Sequence, residues 1–189
     1  MDVWCAIRTY PKHAQELGNS IPQEPVFFLK PESSIISFSQ IDTSSDDIHH
    51  EIELVLKLGS DGNPEQMALG LDLTKRKIQS KIKEQGLPWS EAKAFTGSAI
   101  IGNWHTYNQN ASFTLTINGV IKQQGALSKM NWTPHQLIQK LSNWASIREG
   151  DLLFTGTPEG VGKLSRGDTL TATLYNDNQI IDEQKANCI

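Results

Sequence analysis

Alternating apolar and polar positions predict that this chain is built mainly from short β-strands. The strongest alternation runs over residues 49–58, and a second stretch places four apolar side chains at every other position from 67 to 73. Side chains two residues apart in a strand point to the same face, so each stretch has one apolar and one polar face. Further strands are expected at 152–155, around 169–175 and around 179–182.

The clearest local signal is a β-hairpin centred on Asn118-Gly119. Alternating residues flank this dipeptide on both sides, over 113–117 and 120–121. Asparagine and glycine both tolerate the positive φ angles that a two-residue type I′ turn requires. An apolar run at 25–30, closed by Pro31, is a further short extended segment.

Three short helices interrupt the strands. The first is predicted at 10–17, with Pro11 in its first turn and Gly18 at its C-terminal end. The second follows Thr74, a predicted N-cap, and runs to about residue 85 before Gly86. The third opens at Thr133, and its apolar positions at helical spacing are Leu137, Ile138, Leu141 and Trp144. The fold class is therefore mainly β, of the α+β type.

Composition is typical of a soluble globular protein, and a length of 189 residues fits one domain, or one domain with a short appendage. We expect a single domain spanning residues 1–189. Its 38% hydrophobic and 20% charged residues are ordinary, and no apolar run approaches the roughly 20 residues of a membrane helix. The N-terminal residues lack the pattern of a secretory signal. Cys5 and Cys188 lie at opposite ends in no metal-ligand spacing, and nothing requires a disulfide between them, so we expect a reducing cytoplasm.

The net charge of −4 argues against nucleic acid as the main partner, because binding phosphates needs a basic surface. Lysines do cluster between Lys75 and Lys83, but their spacing fits the solvated face of a helix.

Three carboxylates are candidates for a metal site. Glu51 and Glu53 project from one face of their strand, and Asp72 lies on the face of the next strand opposite its leucines. If the two strands are neighbours, the three groups converge, and an all-oxygen set selects Mg²⁺ or Mn²⁺. The alternative for the glutamate pair is an ordinary solvated strand face. Asp72 favours the metal, because an acid among small and apolar residues needs a partner or an ion.

Four other groups carry possible chemistry. His13 and Glu16 are three residues apart on the first helix, which suits a general base oriented by a carboxylate, although a surface pair has the same spacing. The glycine-rich loop at 155–162 could bind a carboxylate through its N–H groups or be a plain tight turn. Lys93 is an isolated cation among apolar residues. Arg76 and Gln79 share one face of the second helix. The remaining histidines, at 49, 50, 105 and 135, are read as structural or exposed.

Taken in order, six segments resemble the fumarylacetoacetate hydrolase superfamily, and specifically its small acylpyruvase and oxaloacetate decarboxylase branch. They are Arg8-Thr9-Tyr10-Pro11-Lys12-His13 with Glu16, Phe28-Leu29-Lys30-Pro31, His49-His50-Glu51-Ile52-Glu53-Leu54, Leu71-Asp72-Leu73-Thr74-Lys75-Arg76, Gly86-Leu87-Pro88-Trp89 with Ala92-Lys93-Ala94-Phe95, and Gly150-Asp151 through Gly162.

The resemblance implies a fold of mixed, rolled β-sheets with a few short helices, assembled as a homodimer. It implies Mg²⁺ or Mn²⁺ on the carboxylates Glu51, Glu53 and Asp72. It also implies substrate-binding and catalytic groups, the former at Arg76, Gln79, Gly156 and Thr157 and the latter at His13, Glu16 and Lys93. The segment at about 8–18 would be a lid over the bound ligand.

The implied activity is metal-dependent cleavage of a small 2-keto acid through a metal-stabilised enolate, by acylpyruvate hydrolysis, oxaloacetate decarboxylation or both. Keto-acid tautomerisation at the same site is an alternative, as is a non-catalytic relative that binds the metal and the keto acid. The chain departs from the family pattern at Ile7, where the family has glycine, at Thr9, where it has asparagine, and at Lys77, where an acid is common.

Overall fold

Three β-sheets make up most of the computed structural model, which describes residues 1–16, 18, 20–44 and 47–189. The strands are β1 (Val3–Ile7), β2 (Val26–Lys30), β3 (Ile35–Ser37), β4 (Gln40–Ile41), β5 (Ile48–His50), β6 (Ile52–Leu58), β7 (Pro64–Asp72), β8 (Thr74–Lys75), β9 (Ala99–Ile101), β10 (His105–Thr106), β11 (Ser112–Ile117), β12 (Val120–Ala126), β13 (Leu152–Phe154), β14 (Gly162–Lys163), β15 (Thr169–Asn176) and β16 (Gln179–Cys188). The α-helices are α1 (Pro11–Glu16), α2 (Arg76–Glu84), α3 (Ser90–Lys93) and α4 (Pro134–Ser142). Short 3₁₀ turns span Glu32–Ser34 and Leu127–Lys129.

The largest sheet has eight strands in the order β2-β1-β13-β6-β7-β9-β3, with β10 beside β7. A five-stranded sheet follows the order β12-β11-β15-β16-β4, and a three-stranded sheet the order β14-β5-β8. The pairs β1–β13, β3–β9 and β4–β16 are parallel, and the other pairs are antiparallel. These mixed sheets with few helices confirm the predicted fold class.

Both faces of the eight-stranded sheet are buried. One face packs against the five-stranded sheet, so that Leu54 and Leu69 share a core with Phe113 and Leu170. The other face carries a smaller cluster of buried apolar residues that includes Val55 and is partly covered by Phe28, Ile35 and Trp104. Because both faces are covered, the first five residues of β6, Ile52 to Leu56, are buried in succession. A solvated face for the glutamate pair is thereby excluded.

The hairpin prediction is confirmed in position and turn type. Strands β11 and β12 meet at Asn118 and Gly119, whose φ angles are 52° and 78°. The turn between β15 and β16 similarly has positive φ at Asp177 and Asn178. Strand β16, however, continues to Cys188, well past the predicted end at 182, because it pairs along the whole of β15 and then with β4.

Four expectations about local structure need correction. The strand predicted over 49–58 is divided at Glu51, which lies between β5 and β6 in different sheets. Thr74 does not cap the second helix: it belongs to β8, and α2 begins at Arg76 after Lys75. Trp144 lies beyond the end of α4 and is 59% exposed. The single-turn helix α3 was not predicted, because four residues are too few to show a helical period.

The other two helices lie close to their predicted positions. Helix α1 begins at Pro11, and Leu17, the predicted last residue, lies outside the described residues; Gly18 has the expected positive φ of 64°. At α4, the Thr133 side chain accepts a hydrogen bond from the Gln136 N–H, and the Gln136 side chain accepts one from the Thr133 N–H. This reciprocal capping satisfies two free donors at the helix start.

Candidate active site

Pairing of β6 with β7 brings the three predicted carboxylates together. The two strands are antiparallel neighbours with Glu53 opposite Gly70, and Asp72 ends β7. The N–H of Asp72 donates to the Glu51 carbonyl oxygen at 2.9 Å. One carboxylate oxygen from each residue lies within 4.8 Å of the others, and all three side chains are buried. The expected convergence is thus present.

A glycine in β7 makes this close approach possible. A Cβ atom on Gly70 would lie 2.4 Å from Val55 Cγ2 and 2.9 Å from Phe154 Cε1, which is closer than packed atoms tolerate. Any larger side chain at this position would push β6 and β13 away from β7. Because Gly70 has no side chain, β7, the strand that carries Asp72, can pack closely against β6 and β13.

Three cations surround the carboxylates. Lys93 Nζ lies 2.7 Å from Glu51 Oε2 and 2.8 Å from Asp72 Oδ2, and Arg76 Nη2 lies 2.6 Å from Glu51 Oε1. Lys30, which is fully buried, forms an ion pair with Asp72 Oδ1 at 2.9 Å and also donates to the carbonyl oxygens of Lys93 and Ser98. Glu51 and Asp72 are therefore each held between two cations.

The two glutamates have opposite electrostatic surroundings. Burial would raise the pKa of Glu51, but Lys93 and Arg76 outweigh it and lower that pKa to about 2. Glu53 has no ion pair with any described residue, and its pKa is raised well above the usual range by burial and by the charges of Asp72 and Glu51. Burial would lower the pKa of Lys93, but Asp72 and Glu51 raise it, so the ammonium group stays protonated.

This donor set fits a hard divalent cation. All three ligands are carboxylate oxygens, which suit Mg²⁺ or Mn²⁺ better than Zn²⁺. Glu53 is a desolvated acid beside two like charges, and that arrangement is unfavourable unless a further positive charge approaches it. The residues that would hold such an ion are Glu51, Glu53 and Asp72.

The glycine-rich loop after β13 supports the carboxylates from one side. Gly156, with φ at 97°, donates its N–H to Glu53 Oε2 at 2.6 Å, so that this N–H already has an acceptor. Thr157 lines the cavity above the carboxylates, and its hydroxyl donates to the Ile52 carbonyl oxygen at 2.7 Å. The loop acts here as a scaffold for the acidic cluster.

His13 and Glu16 form the predicted pair on α1. His13 Nδ1 lies 3.4 Å from Glu16 Oε2, and the Glu16 carboxylate accepts the Gly160 N–H at 3.0 and 3.2 Å. The helix therefore docks on the glycine-rich loop. Burial holds the pKa of His13 below its usual range, although the carboxylates of Glu51 and Glu16 act to raise it. The neutral ring donates from Nδ1 to Glu16 and leaves Nε2 free to accept a proton.

These groups enclose one cavity of about 60 Å³. The lining residues are Ala6, Ile7, Arg8, His13, Phe28, Glu51, Glu53, Asp72, Arg76, Gln79, Lys83, Trp89, Lys93 and Thr157. Arg76 Nη1 donates to Gln79 Oε1 at 2.7 Å, which fixes the guanidinium beside the carboxylates. Of the predicted site residues, Glu16 and Gly156 are not part of the lining and act on its members.

Comparison with known proteins identifies the family of this chain. The family described as fumarylacetoacetate (FAA) hydrolase C-terminal matches residues 2–184. The chain belongs to the fumarylacetoacetate hydrolase family. A protein of Escherichia coli (strain K12) named oxaloacetate tautomerase YcgM is 35% identical over 191 residues, covering 91% of this chain and 87% of that protein. A mitochondrial protein of Dictyostelium discoideum named oxaloacetate decarboxylase is 36% identical over 182 residues, covering 86% of this chain and 84% of that protein.

A solved member of the fumarylacetoacetate hydrolase family shares the whole fold. The crystal structure of fumarylpyruvate hydrolase from Pseudomonas aeruginosa, in complex with Mn²⁺ and pyruvate, superposes with a TM-score of 0.90 at 30% identity. The match covers 100% of this chain and 89% of that one. That crystal structure contains Mn²⁺, and in this chain the buried carboxylates of Glu51, Glu53 and Asp72 are a group that could hold a metal ion.

Gln123 on β12 is a supporting residue of this family member that the sequence did not reveal. Its Oε1 accepts from His50 Nδ1 at 2.8 Å and from the Ile52 N–H at 3.1 Å. Its Nε2 donates to Thr157 Oγ1 at 2.8 Å and to the Pro158 carbonyl oxygen at 2.9 Å. The side chain is buried with its hydrogen-bonding capacity used, and it ties the strand of Glu53 to the loop.

Gln123 lies two residues beyond the strand predicted at 120–121, and a polar residue at such a position is not distinctive in the sequence. The network also assigns His50 a structural role, as expected. His49 pairs with Asp47 at 3.4 Å and His105 with Asp182 at 3.4 Å, in agreement with the prediction that these histidines are structural.

Among the described residues, no helix has both the length and the apolar character needed to cross a membrane.

Proposed function

We propose that this chain is a divalent-metal-dependent enzyme that moves a proton at the carbon next to the 2-oxo group of a short keto acid, with oxaloacetate as the substrate to test first. The observation that carries the proposal is the buried cluster of Glu51, Glu53 and Asp72 at the floor of a small cavity that His13 also lines. Names of the relatives, which include oxaloacetate tautomerase and oxaloacetate decarboxylase, support this substrate class.

The metal would be held by the three carboxylates, and Mg²⁺ or Mn²⁺ is expected. A divalent cation bound there supplies positive charge for the oxygen that becomes negative when a proton or a carboxyl group leaves the neighbouring carbon. Lys93 holds the carboxylates of Glu51 and Asp72 in place before the ion arrives, because its ammonium lies within 2.8 Å of both.

His13 is the proposed base. Glu16 holds its Nδ1–H, so Nε2 faces the cavity as the acceptor for a proton from C3 of the keto acid. Returning a proton to the 2-oxo oxygen completes keto–enol tautomerisation with no net loss of atoms. Arg76, Gln79 and Thr157 are proposed to bind the substrate carboxylate, since each presents a polar side chain to the cavity.

Cleavage is the second candidate, and the same base supports it. In hydrolysis of an acylpyruvate, His13 would take the proton of a water molecule that attacks the distal carbonyl group. The fumarylpyruvate hydrolase structure supports this reading. Decarboxylation of oxaloacetate needs no base, so His13 would be dispensable for it. We rank tautomerisation first because it requires only the base His13 and the positive charge of a divalent cation at the carboxylate cluster.

The test is to follow oxaloacetate in two assays with purified protein and Mg²⁺ or Mn²⁺. The absorbance of the enol reports tautomerisation, and a coupled assay for pyruvate reports decarboxylation. We expect EDTA and Glu51→Ala each to abolish activity, and His13→Gln to lower the rate of tautomerisation by about 10²-fold or more while sparing decarboxylation. An unchanged rate in Glu51→Ala would overturn the metal assignment. Absence of turnover on any 2-keto acid, with metal still bound, would favour the non-catalytic alternative.

Three further expectations complete the proposal. We propose a homodimer, which sedimentation of the purified protein would check. We also propose a cytoplasmic location with no nucleic-acid or membrane partner, which the composition and the net charge of −4 support. The segment at about 8–18, which carries His13 and docks through Glu16 on the Gly160 N–H, is the proposed lid.

A further inference from the structure

Two cations of the cavity have no acidic partner among the described residues. Arg8 and Lys83 both line it, and in the described parts of the chain neither forms an ion pair or a hydrogen bond through its side chain. The contact made by the Lys83 ammonium is with the ring of Trp89, whose centroid is 5.8 Å from Nζ. Arg76 and Lys93, by contrast, are bonded to the carboxylates.

The charges around the cavity favour a ligand with more than one negative charge. Four cationic and three acidic side chains line it, which leaves one surplus positive charge when all three carboxylates are ionised and His13 is neutral. A divalent cation on the carboxylates would raise that surplus to three. A monocarboxylate offsets one of these charges, whereas a dicarboxylate offsets two.

The backbone directs Arg8 to this position. Its φ of 55° lies in the left-handed region, which a non-glycine residue adopts only where its surroundings enforce it. The enforcing contact is at the next residue, where the Thr9 hydroxyl donates to the Thr155 carbonyl oxygen at 2.6 Å. Thr9 is fully buried against Gly156, so the bend between β1 and α1 is fixed.

Arg8, Arg76 and Lys83 line the same cavity. Partial burial and the positive charges of Arg8 and Arg76 lower the pKa of Lys83. Like charges gather in this way at sites that bind anions, because the anion removes the repulsion.

We propose that Arg8 and Lys83 bind the distal carboxylate of a dicarboxylic 2-keto acid and so select dicarboxylates over monocarboxylates. This inference rests on the proposed function, since the first carboxylate is taken to lie at the acidic cluster. Arginine offers a planar pair of donors to a carboxylate, and the lysine supplies a second charge beside it.

Malate and lactate provide the direct test, since they are unreactive 2-hydroxy acids that differ only in the distal carboxylate. Binding of each to the Mn²⁺-loaded protein is measured by calorimetry. We expect wild-type protein to prefer malate by at least about tenfold. Arg8→Met and Lys83→Met should each reduce that preference several-fold and leave lactate binding unchanged, while Arg8→Lys should retain part of it.

The control is Lys81→Met, which removes one charge from the same helix at an exposed residue outside the cavity. It should keep the full preference at physiological ionic strength, because long-range fields are screened there. In kinetics, both cavity variants should raise KM for oxaloacetate more than they lower kcat, with no change in KM for acetylpyruvate, a monocarboxylate.

Several results would overturn the inference. They are equal binding of malate and lactate by the wild-type protein, a preference that survives both cavity variants, and an equal loss in Lys81→Met. If Arg8→Met fails to fold, Lys83→Met decides alone. A malate preference that depends on Arg8 and Lys83 in a protein without turnover on any 2-keto acid would instead refute the proposed function and leave the anion site standing.

Discussion

Glu51 and Glu53 lie two residues apart in the chain, yet their side chains have different partners. Glu51 is bonded to Lys93, Arg76 and the Thr74 hydroxyl, whereas the contact of Glu53 is the Gly156 N–H. In the metal-free protein the first charge is stabilised, and the second is buried beside like charges. The same substitution at the two positions should therefore have opposite effects on stability.

We predict that Glu53→Gln stabilises the metal-free protein while abolishing Mn²⁺ binding. The amide still accepts the Gly156 N–H but carries no charge, so the melting temperature in EDTA should rise by about 2–4 °C. The wild-type protein should lose stability as pH rises from 4.5 through the raised pKa of Glu53, since the folded state holds that proton more tightly. Glu53→Gln should lack that loss. Thermal melts across pH measure both effects.

Glu51→Gln is the matched control, and it should destabilise the metal-free protein by about 3–5 kcal/mol because Lys93 and Arg76 lose a buried partner. Equal loss of stability in the two variants would show that the buried charge of Glu53 does not destabilise the metal-free protein.

His13 gives a second prediction, concerning the pH dependence of tautomerisation. Burial lowers its pKa from 6.5, so the imidazole stays neutral to a lower pH than free histidine. Protonation removes the acceptor at Nε2, and kcat/KM should therefore fall on the acid side only below pH 6.5. His13→Gln should have a rate lower by about 10²-fold or more and no such acid limb. An unchanged acid limb in this variant would assign the titration to another group.

At the scale of secondary-structure elements, the site depends on how tightly β6, β7 and β13 pack. Glu53 and Asp72 come from neighbouring strands, and their separation is fixed by the contact of Gly70 with Val55 and Phe154. A small displacement of β7 would move one ligand relative to the other two.

We predict that Gly70→Ala weakens Mn²⁺ binding as well as stability. Relieving the 2.4 Å approach to Val55 should lower the free energy of unfolding by about 1–3 kcal/mol and the Mn²⁺ affinity by roughly tenfold or more. Calorimetry with Mn²⁺ and chemical denaturation measure the two quantities.

Gly102→Ala provides the comparison. Its new Cβ would meet the half-buried side chain of Gln184, which can move aside, so both losses should be smaller. Wild-type metal affinity in Gly70→Ala would mean that strand packing does not set the ligand geometry.

At the scale of the whole molecule, both cysteines are enclosed by the sheets. Cys5 on β1 lies within the cluster under the eight-stranded sheet, and Cys188 ends β16; both are free thiols. Burial raises the pKa of both, and that of Cys188 reaches about 11 with a further contribution from Asp168. A thiol is nucleophilic only as the thiolate.

We therefore predict that neither thiol reacts readily in the folded protein. At pH 8 only about one Cys188 in a thousand would be a thiolate, so a thiol reagent should detect close to none without denaturant. The same reagent should detect both thiols in guanidinium chloride, as expected for a chain without a disulfide. Rapid reaction of either thiol in the native protein would show that the sheets open locally.

The sequence by itself determined the elements and the chemistry of the ligands. Alternation and the Asn118-Gly119 turn predicted the strands and the hairpin, because side-chain direction and turn dihedrals are local properties. Glu51, Glu53 and Asp72 were identified as candidates by the same alternation. The ordered motifs added the family and with it the expected roles of His13 and Lys93.

Only the tertiary structure decided which groups share one place. Three features depend on contacts between residues far apart in the chain: Lys30 and Lys93 bracket Asp72, Gln123 ties the loop to β6, and Arg8 and Lys83 have no acidic partner among the described residues. The difference between the pKa values of the two buried glutamates also follows from packing, because Lys93 and Arg76 lie beside Glu51 and not beside Glu53. The spacing of residues along the chain gives neither the distance between residues that are remote in sequence nor their burial. These features therefore cannot be predicted from the sequence alone.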